Sequence, residues 1–447
     1  MSGKECFEIL DKIFLPKKME NIENIRGYTM KYGHIVENLK EYDGFEVPES
    51  AIVDEVLVSY FKEPMSYTTE NMCEINTHGG NIVVKKILEL CLKNGAEMAE
   101  PGEFTKRAFL NGRIDLLQAE SVIDIIDAKS ERELKAGMNQ LEGRVSKEIH
   151  DIKQKIMDVM VNVEVDIDYP EYDVEEVTNT EINEMLDVVI ADLSRLEKSF
   201  DNGKILKDGV KTAIIGKPNA GKSSLLNCIL NEERAIVTEI EGTTRDTIEE
   251  FVTVEGVPLK LIDTAGIREA KDEVEKIGIT KSKEIAKDAD LIIAIFDSSK
   301  DLTDEDKEIF DIIKNKTAIV VLNKMDLLNK IDENMAEIKN VSKYIVKMST
   351  LEQKGIDDLY KSIGNLFSME EISLDNTIVI TNIRHKNLIS KALNSCREAK
   401  KSMELGMPLD IIAIFLKEIL ENLGEITGET VTDDIIDEIF SKFCLGK

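Results

Sequence analysis

Gly216-Lys217-Pro218-Asn219-Ala220-Gly221-Lys222-Ser223 is the stretch on which the reading of this 447-residue chain turns. It fits the pattern GxxxxGK[ST]. An apolar run precedes it, Lys211 to Ile215, and Ser223-Ser224-Leu225-Leu226 opens a helical pattern after it. A strand, a glycine-rich turn and a helix are the context that this motif needs. The glycines let backbone N–H groups curl around phosphate oxygens, and the helix N-terminus adds its partial positive charge. Lys222 is expected to bridge the β- and γ-phosphates, and Ser223 to ligate Mg²⁺. Asn219, Ala220, Gly221 and Ser224 complete the predicted phosphate cradle.

Three further elements follow in the order that a guanine-nucleotide domain requires. Asp263-Thr264-Ala265-Gly266 ends a second apolar run, where the aspartate can hold Mg²⁺ through its water and Gly266 can meet the γ-phosphate. Asn323-Lys324-Met325-Asp326 ends a third. There the Asp326 carboxylate can accept from the guanine N1–H and 2-amino group. Adenine lacks both donors and would leave that carboxylate unpaired. Ser349 suits the loop behind the base. Glu241-Gly242-Thr243-Thr244-Arg245-Asp246 lies where a switch loop belongs, and Thr244 is the expected second Mg²⁺ hydroxyl. Ile267 follows Gly266, where many GTPases carry a water-orienting glutamine. Isoleucine cannot do this. Glu269, Asp272, Glu273 and Glu275 are the nearby acids that could.

Outward from this core the texture changes. Between about 207 and 368, apolar runs at 211–215, 259–262, 291–296, 318–322 and 344–348 alternate with helical patterns, which implies a mainly parallel sheet covered on both faces. Residues 113–206 and 369–447 are predominantly helical. An acidic, turn-prone passage at 166–180 interrupts the first of these, and a helix is predicted over Glu181 to Phe200. Residues 1–112 mix strands (Ile52 to Phe61, Cys73 to Asn76) with a helix over Ile82 to Leu92. The expected architecture is therefore multidomain α/β and α. A small α+β domain comes first, then a discontinuous helical domain with a Ras-like P-loop α/β domain inserted in it.

Composition narrows the partners. Hydrophobic residues make up 42%, enough for real cores, and no run approaches the ~18 apolar residues of a membrane span. No signal peptide opens the chain, and six scattered cysteines show neither metal-ligand nor disulfide-framework spacing, so a reduced cytoplasmic protein is expected. A net charge of -30 repels nucleic-acid phosphates as a whole. If RNA is a substrate, a partner protein is expected to do most of the holding.

Further motifs carry a resemblance to one bacterial family, the tRNA-modification GTPases MnmE, also called TrmE, of the TrmE-Era-EngA-like superfamily. Glu74-Ile75-Asn76-Thr77-His78-Gly79-Gly80 is similar to the family's ExxxHGG segment. The run from Pro101 through Gly102-Glu103-Phe104-Thr105-Lys106-Arg107 to Gly112-Arg113 resembles its most distinctive stretch. Phe443-Cys444-Leu445-Gly446-Lys447 is similar to its FC[IL]GK ending.

The resemblance implies a tetrahydrofolate-binding N-terminal domain (1–112), helical parts at 113–206 and 369–447, and a G domain at 207–368. It implies a homodimer and an FAD-binding partner, MnmG (GidA), in a heterotetramer. Together these modify C5 of the wobble uridine, U34, of certain tRNAs to an aminomethyl or carboxymethylaminomethyl form. The one-carbon unit comes from 5-formyl- or 5,10-methylene-tetrahydrofolate.

The resemblance also implies residue roles. K⁺ falls to Asn219 with oxygens of Thr238, Ile240 and Thr243, supplying the charge that an arginine finger gives elsewhere. Catalysis falls to Glu275, which orients water, with Lys222 and Thr244. Folate falls to Glu74, Arg113 and Lys447, and Cys444 faces the one-carbon chemistry. Family members open with a strand and a glycine-rich turn into Arg-Ile-Ser-Gly, whereas this chain starts Met1-Ser2-Gly3 inside that run. The first strand and a folate-contacting arginine are expected to be missing from it. Two rival readings stand beside this one, a ribosome-assembly GTPase and a nucleotide-gated scaffold with negligible turnover.

Overall fold

A computed structural model describes residues 1–18, 27–42, 46–168, 175–231, 250–262, 278–331, 336–367, 378–444 and 446. The elements run α1 (Cys6–Asp11), β1 (Phe14–Pro16), β2 (Thr29–Val36), β3 (Ile52–Phe61), β4 (Met72–Asn76), α2 (Asn81–Lys93), α3 (Glu103–Leu110) and α4 (Leu116–Ile126). Next come α5 (Glu131–Leu141), α6 (Arg144–Asp168), α7 (Glu175–Asp208), β5 (Val210–Ile215), α8 (Lys222–Asn231), β6 (Glu250–Val254) and β7 (Val257–Leu261). Then follow α9 (Gly278–Asp288), β8 (Leu291–Asp297), α10 (Asp304–Ile313), β9 (Ala318–Asn323), α11 (Ala336–Lys339), β10 (Tyr344–Lys347) and α12 (Ile356–Leu366). The chain closes with α13 (Ile383–Glu404), α14 (Leu409–Thr427) and α15 (Asp433–Ser441). Two compact units result, Met1–Ile123 with Gly424–Lys447, and Asp124–Leu423.

In the first unit, β1-β2-β3-β4 form an antiparallel sheet. Alternation buries Val56, Val58 and Tyr60 of β3 on one face, against Leu10 beside Ile13 and against Ile87 and Leu90 of α2. A second core joins Ala108, Leu116 and Ala119 to Ile436, Phe440 and Phe443. Gly102 makes that joint possible. Its φ is +69°, and a Cβ there would lie 2.9 Å from the Phe443 Cβ and 3.0 Å from the Phe440 carbonyl. The two most distinctive sequence stretches, 101–113 and the chain's last helix and tail, thus pack on each other.

In the second unit, the six-stranded order is β10-β9-β8-β5-β7-β6. All pairings are parallel except β6 with β7. Buried clusters cover both faces, one around Ile293, Ile295 and Val321, the other around Ile292, Ala294 and Phe296. Such runs, apolar at every position, are what a sheet buried on both sides demands. The helices carry their own seam. On α6, Val145, Ile149, Ile152, Ile156, Met160 and Val163 are buried. On α7, Ile182, Leu186, Val189, Leu193, Leu196 and Phe200 are buried at the same three- and four-residue steps. Helix α7, before the sheet in sequence, packs on α13, after it. Just before α5, the Lys129 ammonium lies 3.8 Å from the ring centre of Phe251 on β6.

Three readings are corrected. Helix α7 runs from Glu175 to Asp208, well beyond the predicted 181–200, while 169–174 of the expected turn-prone passage lie outside the described residues. The predominantly helical stretch that opens the 113–206 part is divided into three helices, α4, α5 and α6. Ser130, the N-cap of α5, accepts from the Glu133 N–H and so ends the preceding segment. Strands β1, β2 and β6 are additions to the expected strands: β1 and β6 are short edge strands, and β2, inside its sheet, lacks a clean alternation.

Candidate nucleotide site

Residues 216–221 link the end of β5 to the first turn of α8. Asn219 and Gly221 adopt positive φ, +60° and +111°, which turns the intervening backbone inward. Asparagine tolerates its value, but Gly221 has no alternative. A Cβ there would sit 2.2 Å from the Asn323 Nδ2 atom. The Lys222 ammonium donates to the carbonyls of Gly216 (2.7 Å) and Lys217 (2.9 Å), so it lies within the turn. Ser223 and Ser224 stand in the first turn of α8.

The loop expected to meet the base comes from the end of β9. Asn323 is fully buried and acts as a rivet. Its Nδ2 donates to the Ala220 carbonyl at 2.9 Å and to Thr350 Oγ1 at 3.2 Å, while its Oδ1 accepts from the Thr350 N–H at 3.0 Å. One side chain therefore ties the phosphate turn to the loop after β10. Lys324 has φ +64°, and its ammonium donates to Asp297 Oδ2 at 2.7 Å. Burial raises the affinity of Asp297 for a proton. The hydrogen bonds from Lys324 and Ser299 outweigh that and hold the carboxyl below its ordinary range. Asp326 is exposed, and one of its oxygens, Oδ1, accepts from Ser349 Oγ at 2.6 Å. Ser349 thus orients the carboxylate while the second oxygen is available to a ligand.

The structure accordingly brings together Asn219, Ala220, Gly221, Lys222, Ser223, Asn323, Lys324, Asp326 and Ser349. Thr238, Ile240, Gly242, Thr243, Thr244, Asp263, Thr264, Ala265, Gly266, Glu275 and Lys447 lie outside the described residues. Two participants were missed. Asp297 closes an apolar strand at its carboxyl end, the edge where α/β sheets carry ligands, and that position was a readable signal. Thr350 carried none, because its backbone N–H and its hydroxyl both meet a side chain 27 residues away. The predicted Mg²⁺ and nucleotide suit this site. The cradle is one that a Cβ would fill, with a lysine inside it and a helix N-terminus below.

Of the residues expected to meet folate, Glu74 is exposed on β4, paired in register with Ser59. The Arg113 guanidinium lies 4.4 Å from the ring centre of Tyr67, whose hydroxyl is 3.0 Å from Thr105 Oγ1. The described contacts do not bring Glu74 and Arg113 together. Cys444 is exposed and free, and its carbonyl accepts from the Gly102 N–H at 3.3 Å.

Residues 1–113 match the family profile described as the GTP-binding protein TrmE N-terminus, and residues 116–444 match that of the MnmE helical domain. The chain belongs to the MnmE family of tRNA modification GTPases. The tRNA modification GTPase MnmE of Thermoanaerobacter pseudethanolicus is 50% identical over 450 residues, covering 100% of this chain and 95% of that protein. The protein of the same name from Clostridioides difficile is 48% identical over 449 residues, and that from Acetivibrio thermocellus 45% over 448, with the same coverage. The helical-domain match spans the whole parallel sheet, as an inserted MnmE-type nucleotide domain requires. Among the described residues, no helix is long and apolar enough to cross a membrane.

Proposed function

We propose that this GTPase, an enzyme of tRNA modification, hydrolyses GTP in a K⁺-stimulated cycle, acting with an FAD-binding partner at C5 of the wobble uridine. Backbone N–H groups of the phosphate turn and the Lys222 ammonium take the phosphates, while Asp326, oriented by Ser349, takes the guanine edge. Ser223 and Thr244 would hold Mg²⁺, with Asp263 acting through its water, and the ion would neutralise charge on the β- and γ-oxygens. Asn219 with oxygens of Thr238, Ile240 and Thr243 would hold K⁺, and Glu275 would orient the attacking water through a bridging water. Thr264, Ala265, Gly266 and Gly242 would line the γ-phosphate. In the N-terminal domain, Glu74, Arg113 and Lys447 would bind the folate that carries the one-carbon unit, in a homodimer. The domain limits 1–112, 113–206, 207–368 and 369–447 belong to this reading, as does its cytoplasmic setting.

One observation carries the nucleotide assignment: buried Asn323 joins the phosphate turn to the base loop, so both halves of a guanine-nucleotide site form together. Calorimetry with GDP and ADP tests it, and equal affinities refute it. Timing hydrolysis in KCl against NaCl tests the potassium role, which equal rates refute. Mass spectrometry of wobble uridine from cells lacking the gene tests the tRNA role. Unchanged C5 substituents refute it.

A further inference from the structure

Lys217, the second residue of the phosphate turn, points its side chain away from Lys222 and toward α10. Its ammonium donates to Asp306 Oδ2 at 2.5 Å and to Thr303 Oγ1 at 2.9 Å. The pair is well shielded, with the lysine side chain 18% exposed and the aspartate 5%. Asp306 is also the N3 residue of the α10 capping box, and Oδ2 accepts from the Thr303 N–H at 2.8 Å and from its hydroxyl at 3.0 Å. Three donors thus converge on one carboxylate oxygen.

An ammonium at a helix N-terminus is placed against the helix dipole, so α10 gains nothing from Lys217 that its own cap and first-turn acids do not supply. What the contact does fix is the turn. The Lys217 carbonyl accepts from the Lys222 ammonium at 2.9 Å and from the Ala220 N–H at 3.3 Å. The side chain of Lys217 therefore anchors the peptide against which the phosphate-binding lysine rests.

We infer that the Lys217–Asp306–Thr303 contact is a clamp that positions the phosphate turn, making Lys217 and Asp306 positioning residues for nucleotide binding. The clamp works from outside the cradle. Together with Asn323, which holds Ala220 from β9, it grips the turn at two points on opposite sides of Asn219. This inference rests on the nucleotide site proposed above.

The test uses the full chain, with fluorescent GDP release by stopped flow and steady-state GTP hydrolysis. Asp306→Asn retains a carbonyl oxygen for the Thr303 N–H, so the cap survives while the charge is lost. Misplacing a binding turn by a fraction of an ångström should speed GDP release about tenfold and raise KM about tenfold, with kcat falling less than about threefold. Lys217→Met should match it, and the double variant should be no worse than either single one. Lys217→Arg, which keeps the charge, should stay within about twofold of native. Native release rates in both Asp306→Asn and Lys217→Met, or effects that multiply in the double variant, overturn the clamp. Should Lys217→Met fail to fold by circular dichroism, Asp306→Asn and Lys217→Arg decide the matter. A native chain that binds no GDP overturns the nucleotide reading, and the clamp with it.

Discussion

Gly221→Ala tests the rivet between the two halves of the site. Two costs add. Alanine at φ +111° is strained by about 1–2 kcal/mol. Its Cβ would lie 2.2 Å from Asn323 Nδ2, so the amide must withdraw by roughly 1 Å to reach van der Waals distance. Withdrawal breaks the bonds to Ala220 O and Thr350 Oγ1 and strains that from the Thr350 N–H. Each is worth about 1 kcal/mol in a buried setting, and more where a partner is left orphaned. The sum is about 4 kcal/mol, which if taken from binding is roughly a thousandfold loss of GDP affinity. Isothermal calorimetry with GDP measures it. Asn323→Ala should cost nearly as much, and the two changes together little more than either alone, because both end by removing the same bonds. Gly221→Ala with GDP affinity within about threefold of native and unchanged urea unfolding would refute the reasoning.

Other expectations concern separate parts of the molecule. Asp326→Asn should weaken GTP binding about 100-fold and improve xanthosine triphosphate binding; an unchanged nucleotide preference in competition assays removes Asp326 from base recognition. Glu275→Ala should leave GTP affinity within about threefold while slowing single-turnover hydrolysis about 100-fold, and native turnover would pass the role to another acid. Burial, opposed by the Lys129 N–H and its charge, lifts the Glu133 carboxyl from 4.5 to about 7. A raised acid is a stability contribution fully present below the lower value and lost as pH rises toward the upper one. Between pH 5.5 and 8 the native chain should therefore lose about 2 kcal/mol relative to Glu133→Gln, which titrates nowhere in that range. Urea unfolding at the two pH values measures the gap, and parallel pH dependences would contradict the burial argument.

The parallel sheet was the most legible part of the sequence. Strands such as Leu291–Asp297, buried at every position, leave an apolar run that no surface element produces. Ile52–Phe61, predicted with both its ends, was legible for a different reason, the inward alternation of Val56, Val58 and Tyr60 with exposed Glu55 and Leu57 between and before them. Strand β2 was not legible, although it lies inside its sheet between β1 and β3. In β2 the pattern runs from exposed Met30 and Tyr32 to buried Ile35 and Val36 without a clean alternation, and a register shift at Ile35/Val36 breaks the period. At the site, Lys222, Asn323 and Asp326 were readable because their chemistry requires those side chains at that spacing. Thr350 meets Asn323, 27 residues away, through its backbone N–H and its hydroxyl, and Asp306 meets Lys217 across 89 residues, and neither kind of role leaves a trace in local spacing.

Long-range placement also explains why the site is built at the carboxyl ends of β5, β8 and β9 rather than within any one loop. Each strand delivers one polar residue beyond an apolar run: Lys222 one turn after β5, Asp297 at the end of β8, Asn323 at the end of β9. The parallel register sets Asp297 beside Asn323, and Asp297 then receives the next residue's ammonium, that of Lys324. An isolated buried carboxylate would be costly there. Paired with Lys324 and with both donors of Ser299, it instead fixes the φ-positive turn that carries Asp326 outward. Replacing Asp297 should thus disturb guanine selection, although nothing assigns that residue a contact with the base. Asp297→Asn keeps the hydrogen-bond acceptor and loses the charge, so it should weaken GDP binding about tenfold, and Asp297→Ala about 100-fold, by calorimetry. Equal and native affinities in both variants would mean that Asp326 is held by Ser349 alone.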